Sequence, residues 1–225
     1  MRRAANSPQQ APDFDLEWHP QAKGAQWWSA EGMLRSDHGQ TYTFQFSLFT
    51  ANAWLFHPTA LRMSLTDWQT GQHFDFQQSS PLGFGVELGE SRLRFGERAE
   101  VLKTTEGLQL RLFHSAFSLT LSLGYGQGGY RRREPDEGAA APTGEQEPSP
   151  YAFAYPTMPA GGYLTVAEET MPVTGSVWFF GRNAPFAALR PQAHWERFHL
   201  WFDDGDRLSL AVMPRLGVTD GMWLP

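Results

Sequence analysis

Gln26-Trp27-Trp28-Ser29-Ala30-Glu31-Gly32-Met33-Leu34, followed by Gly39 and then Tyr42-Thr43-Phe44-Gln45-Phe46-Ser47-Leu48-Phe49, decides how this chain is read. Tyr42, Phe44, Phe46 and Leu48 share one face of the second run, and Thr43, Gln45 and Ser47 share the other. That period of two marks a half-buried antiparallel β-strand. Between the two runs, Ser36-Asp37-His38-Gly39 places a glycine where a tight turn needs a positive φ. Adjacent indoles ahead of an aromatic strand bury a large apolar area each, so Trp27 and Trp28 anchor something.

The same alternation spreads outward. Leu108, Leu110 and Leu112 alternate with Gln109 and Arg111, and Phe117, Leu119, Leu121 and Leu123 alternate with Ser118, Thr120 and Ser122. Thr70-Gly71, Leu88-Gly89-Glu90 and Glu106-Gly107 supply turn chemistry between the runs. About eight or nine short strands at meander spacing are expected from Trp27 to Leu123. No segment carries a helical period. The fold expected is all-β: an antiparallel lipocalin-like barrel followed by a second, incomplete sheet.

Four segments follow from composition. Residues 1–17 read as a polar, Pro- and Gln-bearing lead-in, and 18–125 as the first barrel. Residues 126–150, with Arg131-Arg132-Arg133-Glu134-Pro135-Asp136-Glu137, are too charged and Pro-dotted to bury much apolar surface and read as a flexible linker. Residues 151–225 resume the strand pattern as a partial second domain, with Asp203-Asp204-Gly205 as a hairpin turn.

Composition excludes several functions. The chain has 225 residues, 9 Trp, 17 Phe and a net charge of −6, which suits a ring-lined barrel and argues against a nucleic-acid footprint. It has no Cys, hence no disulfide frame and no thiolate ligand or nucleophile. The seven His are scattered, and His73-Phe74-Asp75 has no further ligand nearby in sequence, so neither a metal nor another cofactor is expected. Gly124 to Gly129 resembles a phosphate loop only superficially, since no helix start follows it. No Gly-x-Ser-x-Gly elbow is present. Arg2 and Arg3 are not followed by an apolar core, so no signal peptide is expected. No run reaches the ~18 apolar residues of a membrane span. A cytoplasmic protein is the resulting expectation.

The motifs, taken in order, resemble the carotenoid hydratase/AttH group of lipocalin-like proteins. That group's first signature is a His, a Glu-Trp-Trp-Tyr run, a Gly-His-Leu strand, a Gly turn and an aromatic strand. Here it reads His19, Gln26-Trp27-Trp28-Ser29, Gly32-Met33-Leu34, Gly39 and Tyr42 to Phe49. Leu65-Thr66-Asp67-Trp68 through Gly71 to Phe74 and Phe76 matches the strand–turn–strand expected next. The second signature reads Tyr151 to Met158, Gly162-Tyr163-Leu164, Val173-Thr174-Gly175-Ser176-Val177-Trp178, then Trp195-Glu196-Arg197-Phe198 and Asp203-Asp204-Gly205. Three departures stand out. The group's Glu is Gln26, its Tyr is Ser29, and the Asp-His pair that usually follows the second-signature Trp is absent, because Phe179, Phe180 and Gly181 follow Trp178.

The resemblance implies acid-catalysed hydration of an isolated alkene, which needs a proton donor in a dry pocket. Neither Gln26 nor Phe180 supplies a proton. Glu196 and His19 are the replacement acids to consider, each weighed against a solvated side chain. Trp27 and Trp28, with Trp178 opposite and Tyr42, Phe44, Phe46 and Trp195 alongside, are the residues expected to wall a ligand site. The alternative is that one of the paired indoles closes the barrel base while the other packs outward. Three readings compete: an active hydratase or isomerase, a pericyclase that shapes its substrate, and a binding protein without catalysis. The last is preferred, with a hydrophobic small molecule (isoprenoid, polyene or lipid) as ligand. A structural or interaction protein without a ligand is the further alternative. A second copy or a partner chain would complete the short second sheet.

Overall fold

The computed structural model describes residues 24–52, 57–83, 85–126, 129–133, 151–184, 196–201, 207–213 and 218–224. In chain order the strands are β1 (Gly24–Ser36), β2 (Thr41–Asn52), β3 (Thr59–Asp67), β4 (His73–Ser80), β5 (Val86–Leu88), β6 (Arg92–Phe95), β7 (Ala99–Lys103), β8 (Gly107–Phe113), β9 (Phe117–Gly124), β10 (Tyr130–Arg133), β11 (Tyr151–Val166), β12 (Glu169–Ala184), β13 (Glu196–Trp201), β14 (Arg207–Met213) and β15 (Val218–Leu224). No helix occurs among the described residues, so none there is long and apolar enough to cross a membrane.

The first twelve strands form one antiparallel sheet with the order β4-β3-β2-β1-β12-β11-β9-β8-β7-β6-β5, and β10 pairs with β11 off that path. Its edge strands β4 and β5 are consecutive in sequence and joined only by residues 81–85. A link of that length reaches at most about 20 Å at ~3.5 Å per residue, so the sheet must curl until its edges face each other. Ring contacts show that it does. Phe74 on β4 lies 6.1 Å from Phe117 on β9, and Phe76 lies 5.8 Å from His114. The result is a lipocalin-like half-barrel in which the edge strand β4 meets β9 and the β8–β9 turn through side chains rather than through a backbone ladder.

Alternation sets the two sides of the wall. Along β2 the even-numbered residues from Tyr42 to Thr50 are buried and their odd-numbered neighbours half-buried. Register carries that phase across the sheet: Trp28 pairs with Leu48 and Gly181, Ala30 with Phe46 and Phe179, and Gly32 with Phe44 and Val177. Large rings therefore face small residues on the concave side. A methyl on Gly32 would lie 2.7 Å from Cε1 of Phe44 and 2.9 Å from the Ser176 carbonyl, and one on Gly181 would run into the Phe153 ring. One continuous buried cluster fills the concave side, from Trp28 and Phe46 through Leu110 and Leu121 to Phe153 and Phe179.

The boundary expected at 126–150 differs from this arrangement. β11 and β12 do not open a second sheet; they are inserted between β1 and β9, with Gly162 opposite Leu121 and Gly32 opposite Val177. The chain divides instead after Phe186, and Ala187–Pro225 is a separate compact unit holding the three-stranded antiparallel sheet β13-β14-β15. Alternation marks a strand's faces but not its neighbour, so a change of composition does not by itself mark a domain limit.

The β11–β12 hairpin turns through Ala167 and Glu168, both left-handed with φ of 50° and 71°. A two-residue turn of that kind favours Asn-Gly, and L residues with a Cβ are strained there by roughly 1–2 kcal/mol each. Replacing the pair (Ala167→Asn with Glu168→Gly) is expected to raise the unfolding free energy by about 1 kcal/mol in urea denaturation. A loss of stability would show that the turn is not strained.

Candidate functional site

The two indoles of the opening motif face opposite ways, because neighbours on a strand must. Trp28 enters the buried cluster and is 2% exposed, while Trp27 stands on the convex face and its Nε1 donates to Ser47 Oγ at 2.7 Å. Tyr42, Phe44 and Phe46 join Trp28 on the concave side, and the exposure of all four is between 1% and 3%. These rings all belong to the continuous buried cluster. Trp178 pairs with Glu31, which places it on the convex face with the half-buried Trp27, but Trp178 is itself buried. The expected residues thus separate into an inner group (Trp28, Tyr42, Phe44, Phe46) and an outer pair (Trp27, Trp178). Glu196 opens β13 opposite Val212, whereas His19 and Trp195 lie outside the described residues.

Tyr42 is the titratable group of the inner set. Burial, together with the negative charges of Asp67 and Glu169, pushes its phenol above the ordinary tyrosine value. It therefore stays protonated at neutral pH, donating to Gln40 Oε1 at 3.1 Å and lying 3.6 Å from the Met171 sulfur. Asp67 is the buried carboxylate among the described residues, and its Oδ1 accepts the backbone N–H groups of Gln69 at 2.8 Å and Thr70 at 3.3 Å. It holds the β3–β4 turn, as its position at a strand end led one to expect.

Two clefts open at the same end of the β1–β2 hairpin, on opposite faces of the sheet. The larger, about 170 Å³, lies on the convex side and is lined by Trp27, Ser47, Phe49, Ala60, Leu61, Arg62 and Gln77. Register explains it: Trp27, Phe49 and Ala60 form one convex row across β1, β2 and β3, and Ser47, Arg62 and Gln77 form the next. Arg62 Nε donates to Asp75 Oδ1 at 3.2 Å, so the rim charge is balanced. The smaller cleft, about 90 Å³, is lined by Gly24, Gln26, Thr50, Ala51, Asn52, His57 and Leu88. Of these lining residues the sequence singles out Trp27 as a ligand contact and Gln26 as a departure from the signature, and no other as part of a site. Thr50 was nevertheless visible as the polar residue that ends the apolar phase Tyr42, Phe44, Phe46, Leu48.

Among solved structures, a candidate AttH of Nitrosomonas europaea superposes with a TM-score of 0.72 at 19% identity, covering 98% of this chain and 75% of that one. The chain has the lipocalin-like fold of AttH. Kievitone hydratase of Nectria haematococca superposes with a TM-score of 0.56 at 13% identity, covering 93% of this chain and 66% of the hydratase. No family model matches the sequence, and no curated protein does. At such identities the likeness is one of fold.

Proposed function

We propose that the protein binds a hydrophobic small molecule (an isoprenoid, polyene or lipid) through the convex cleft at Trp27, without hydrating it. The observation that carries this reading is the cleft itself. At about 170 Å³, floored by Trp27 and Phe49 and rimmed by Ser47, Arg62 and Gln77, it combines apolar walls with a few polar groups. A cavity of roughly 150 Å³ accommodates a benzene-sized ring, so one ring or one branched chain end fits, and a longer ligand would continue along the convex face. The inner rings Trp28, Tyr42, Phe44 and Phe46 then serve as the packed floor that keeps Trp27 in place.

Hydration draws no support from Asp67, which is committed to its turn. The hydratase reading, raised by the fold of kievitone hydratase, falls to Glu196 or His19. The filled concave side favours a second reading, a structural or interaction protein, because the rings there are at most 3% exposed.

Native mass spectrometry of protein from its own host, followed by titration with a carotenoid and fatty-acid panel, tests the proposal. An apolar adduct is expected, of unchanged mass after incubation, with affinity falling about tenfold in Trp27→Ala. Binding that is indifferent to Trp27→Ala would refute the site. Repeated recovery of empty protein that takes up no panel member would refute the function, and an adduct that gains the mass of water would restore the hydratase.

A further inference from the structure

We infer that the ligand of the convex cleft carries a carboxylate: it is an apolar monocarboxylic acid, held by its head at Arg62 with its chain beginning against Trp27. This rests on the reading of that cleft as the ligand site and selects one class within it. Register makes the cleft two-sided. Trp27, Phe49 and Ala60 form one row across β1, β2 and β3, and Ser47, Arg62 and Gln77 form the next across β2, β3 and β4. One wall is apolar, and the other carries a line of hydrogen-bond donors.

These donors are only partly spent within the protein. In its bond with Trp27 Nε1, Ser47 Oγ accepts, so its own O–H is still available to donate. Arg62 gives Nε to Asp75 Oδ1 at 3.2 Å, and its two terminal nitrogens make no hydrogen bond among the described residues. Gln77 adds a side-chain amide. The ion pair is also lopsided toward the cleft, because Arg62 lines it and Asp75 does not. With side chains 55% and 40% exposed, the two charges attract each other only weakly through water. A guanidinium that has used Nε keeps the fork of its terminal N–H groups, which matches the two oxygens of a carboxylate.

The donor row then sorts the possible ligands. A pure hydrocarbon laid across it would strip water from the donors and return nothing. A hydroxyl would satisfy one of them. A carboxylate accepts from several at once and meets the opposite charge of Arg62. The second charge of a phosphate head would stand close to Asp75, and an ammonium would meet Arg62 first. At about 170 Å³ the cleft takes the head and the start of the chain, with the apolar row at its side.

Calorimetric titration of the full chain at neutral pH with decanoate, decan-1-ol and decylammonium tests the inference. Decanoate should bind about tenfold more tightly than the alcohol, and the amine should bind least. Arg62→Gln should erase that preference, weakening decanoate about tenfold and leaving the alcohol unchanged. Asp75→Asn frees the whole guanidinium and should strengthen decanoate about threefold. Trp27→Ala should weaken acid and alcohol alike. The ligand series and Asp75→Asn carry the test if Arg62→Gln fails to fold. Acid bound no better than alcohol or amine, a decanoate affinity untouched by Arg62→Gln, or one lowered by Asp75→Asn would overturn this inference alone, with Trp27-dependent binding still standing. If neither acid nor alcohol bound, the inference would fall together with the cleft.

Discussion

Trp28→Ala is expected to cost about 3–5 kcal/mol of unfolding free energy, the range for deleting a fully buried large ring. Trp27→Ala, one residue away, should cost roughly 1 kcal/mol. The difference follows from the phase of β1. Trp28 points into the concave cluster at 2% exposure, between Leu48 on one neighbour and Gly181 on the other. Gly181 has no side chain to move into the space, and the Phe153 ring already occupies the ground above it. The hole left by Trp28→Ala would therefore collapse only in part. Trp27 is half-buried and gives up chiefly its hydrogen bond to Ser47. Urea denaturation of the two variants, read as midpoint at constant slope, measures the contrast. Equal losses would mean that β1 is assigned to the wrong phase.

Gly175→Ala should be of comparable severity, at about 3 kcal/mol or more, through overpacking against parts that cannot yield. Gly175 lies on β12 between Leu34 and Ala160. A methyl there would collide with the carbonyl oxygen of Met33 and come within 3.0 Å of Leu34 Cα, and both atoms belong to the backbone of β1. Relief requires β1 and β12 to separate along an edge that runs from Ala25 to Ser36 of β1. Gly161→Ala provides the control: it sits on the adjoining β11 beside Thr174, and a methyl there meets nothing within 4 Å. That variant should stay within ~0.5 kcal/mol of the parent. Thermal unfolding of both resolves the pair. A tolerated Gly175→Ala would show that β1 and β12 are less closely apposed than described.

Much of the wall was legible in the sequence. β2, β8 and β9 alternate strongly because each pairs rings or leucines with polar residues, so their faces could be assigned by eye. β1 hid its phase. Its concave positions include Ala30 and Gly32, small residues chosen to receive Phe46 and Phe44, and its convex side carries Trp27 and Met33. Hydrophobicity alone gives no phase to such a strand, which is why the two indoles read as a single wall. The insertion of β11 and β12 was illegible for a different reason: pairing across more than 100 residues depends on shape matches such as Gly32 with Val177, which leave no local periodic trace. The convex cleft needed register, since Trp27, Phe49 and Ala60 come from three strands. The concave one left a faint mark in Gln26 and Thr50, polar residues where the phase asks for apolar ones.

The strand order also dictates when this protein can be assembled. β1 to β4 and β5 to β9 are each contiguous in sequence, yet in the sheet they are bridged only by the hairpin of residues 151–184. While the ribosome is still making the first 125 residues, both halves present an open ladder, on β1 and on β9, that nothing yet emerged can occupy. Closure waits for the latest third of the chain, which makes the contacts distant in sequence and the folding slow. During that interval the nascent protein carries two exposed pairing edges, the period in which self-association in the cell is most dangerous.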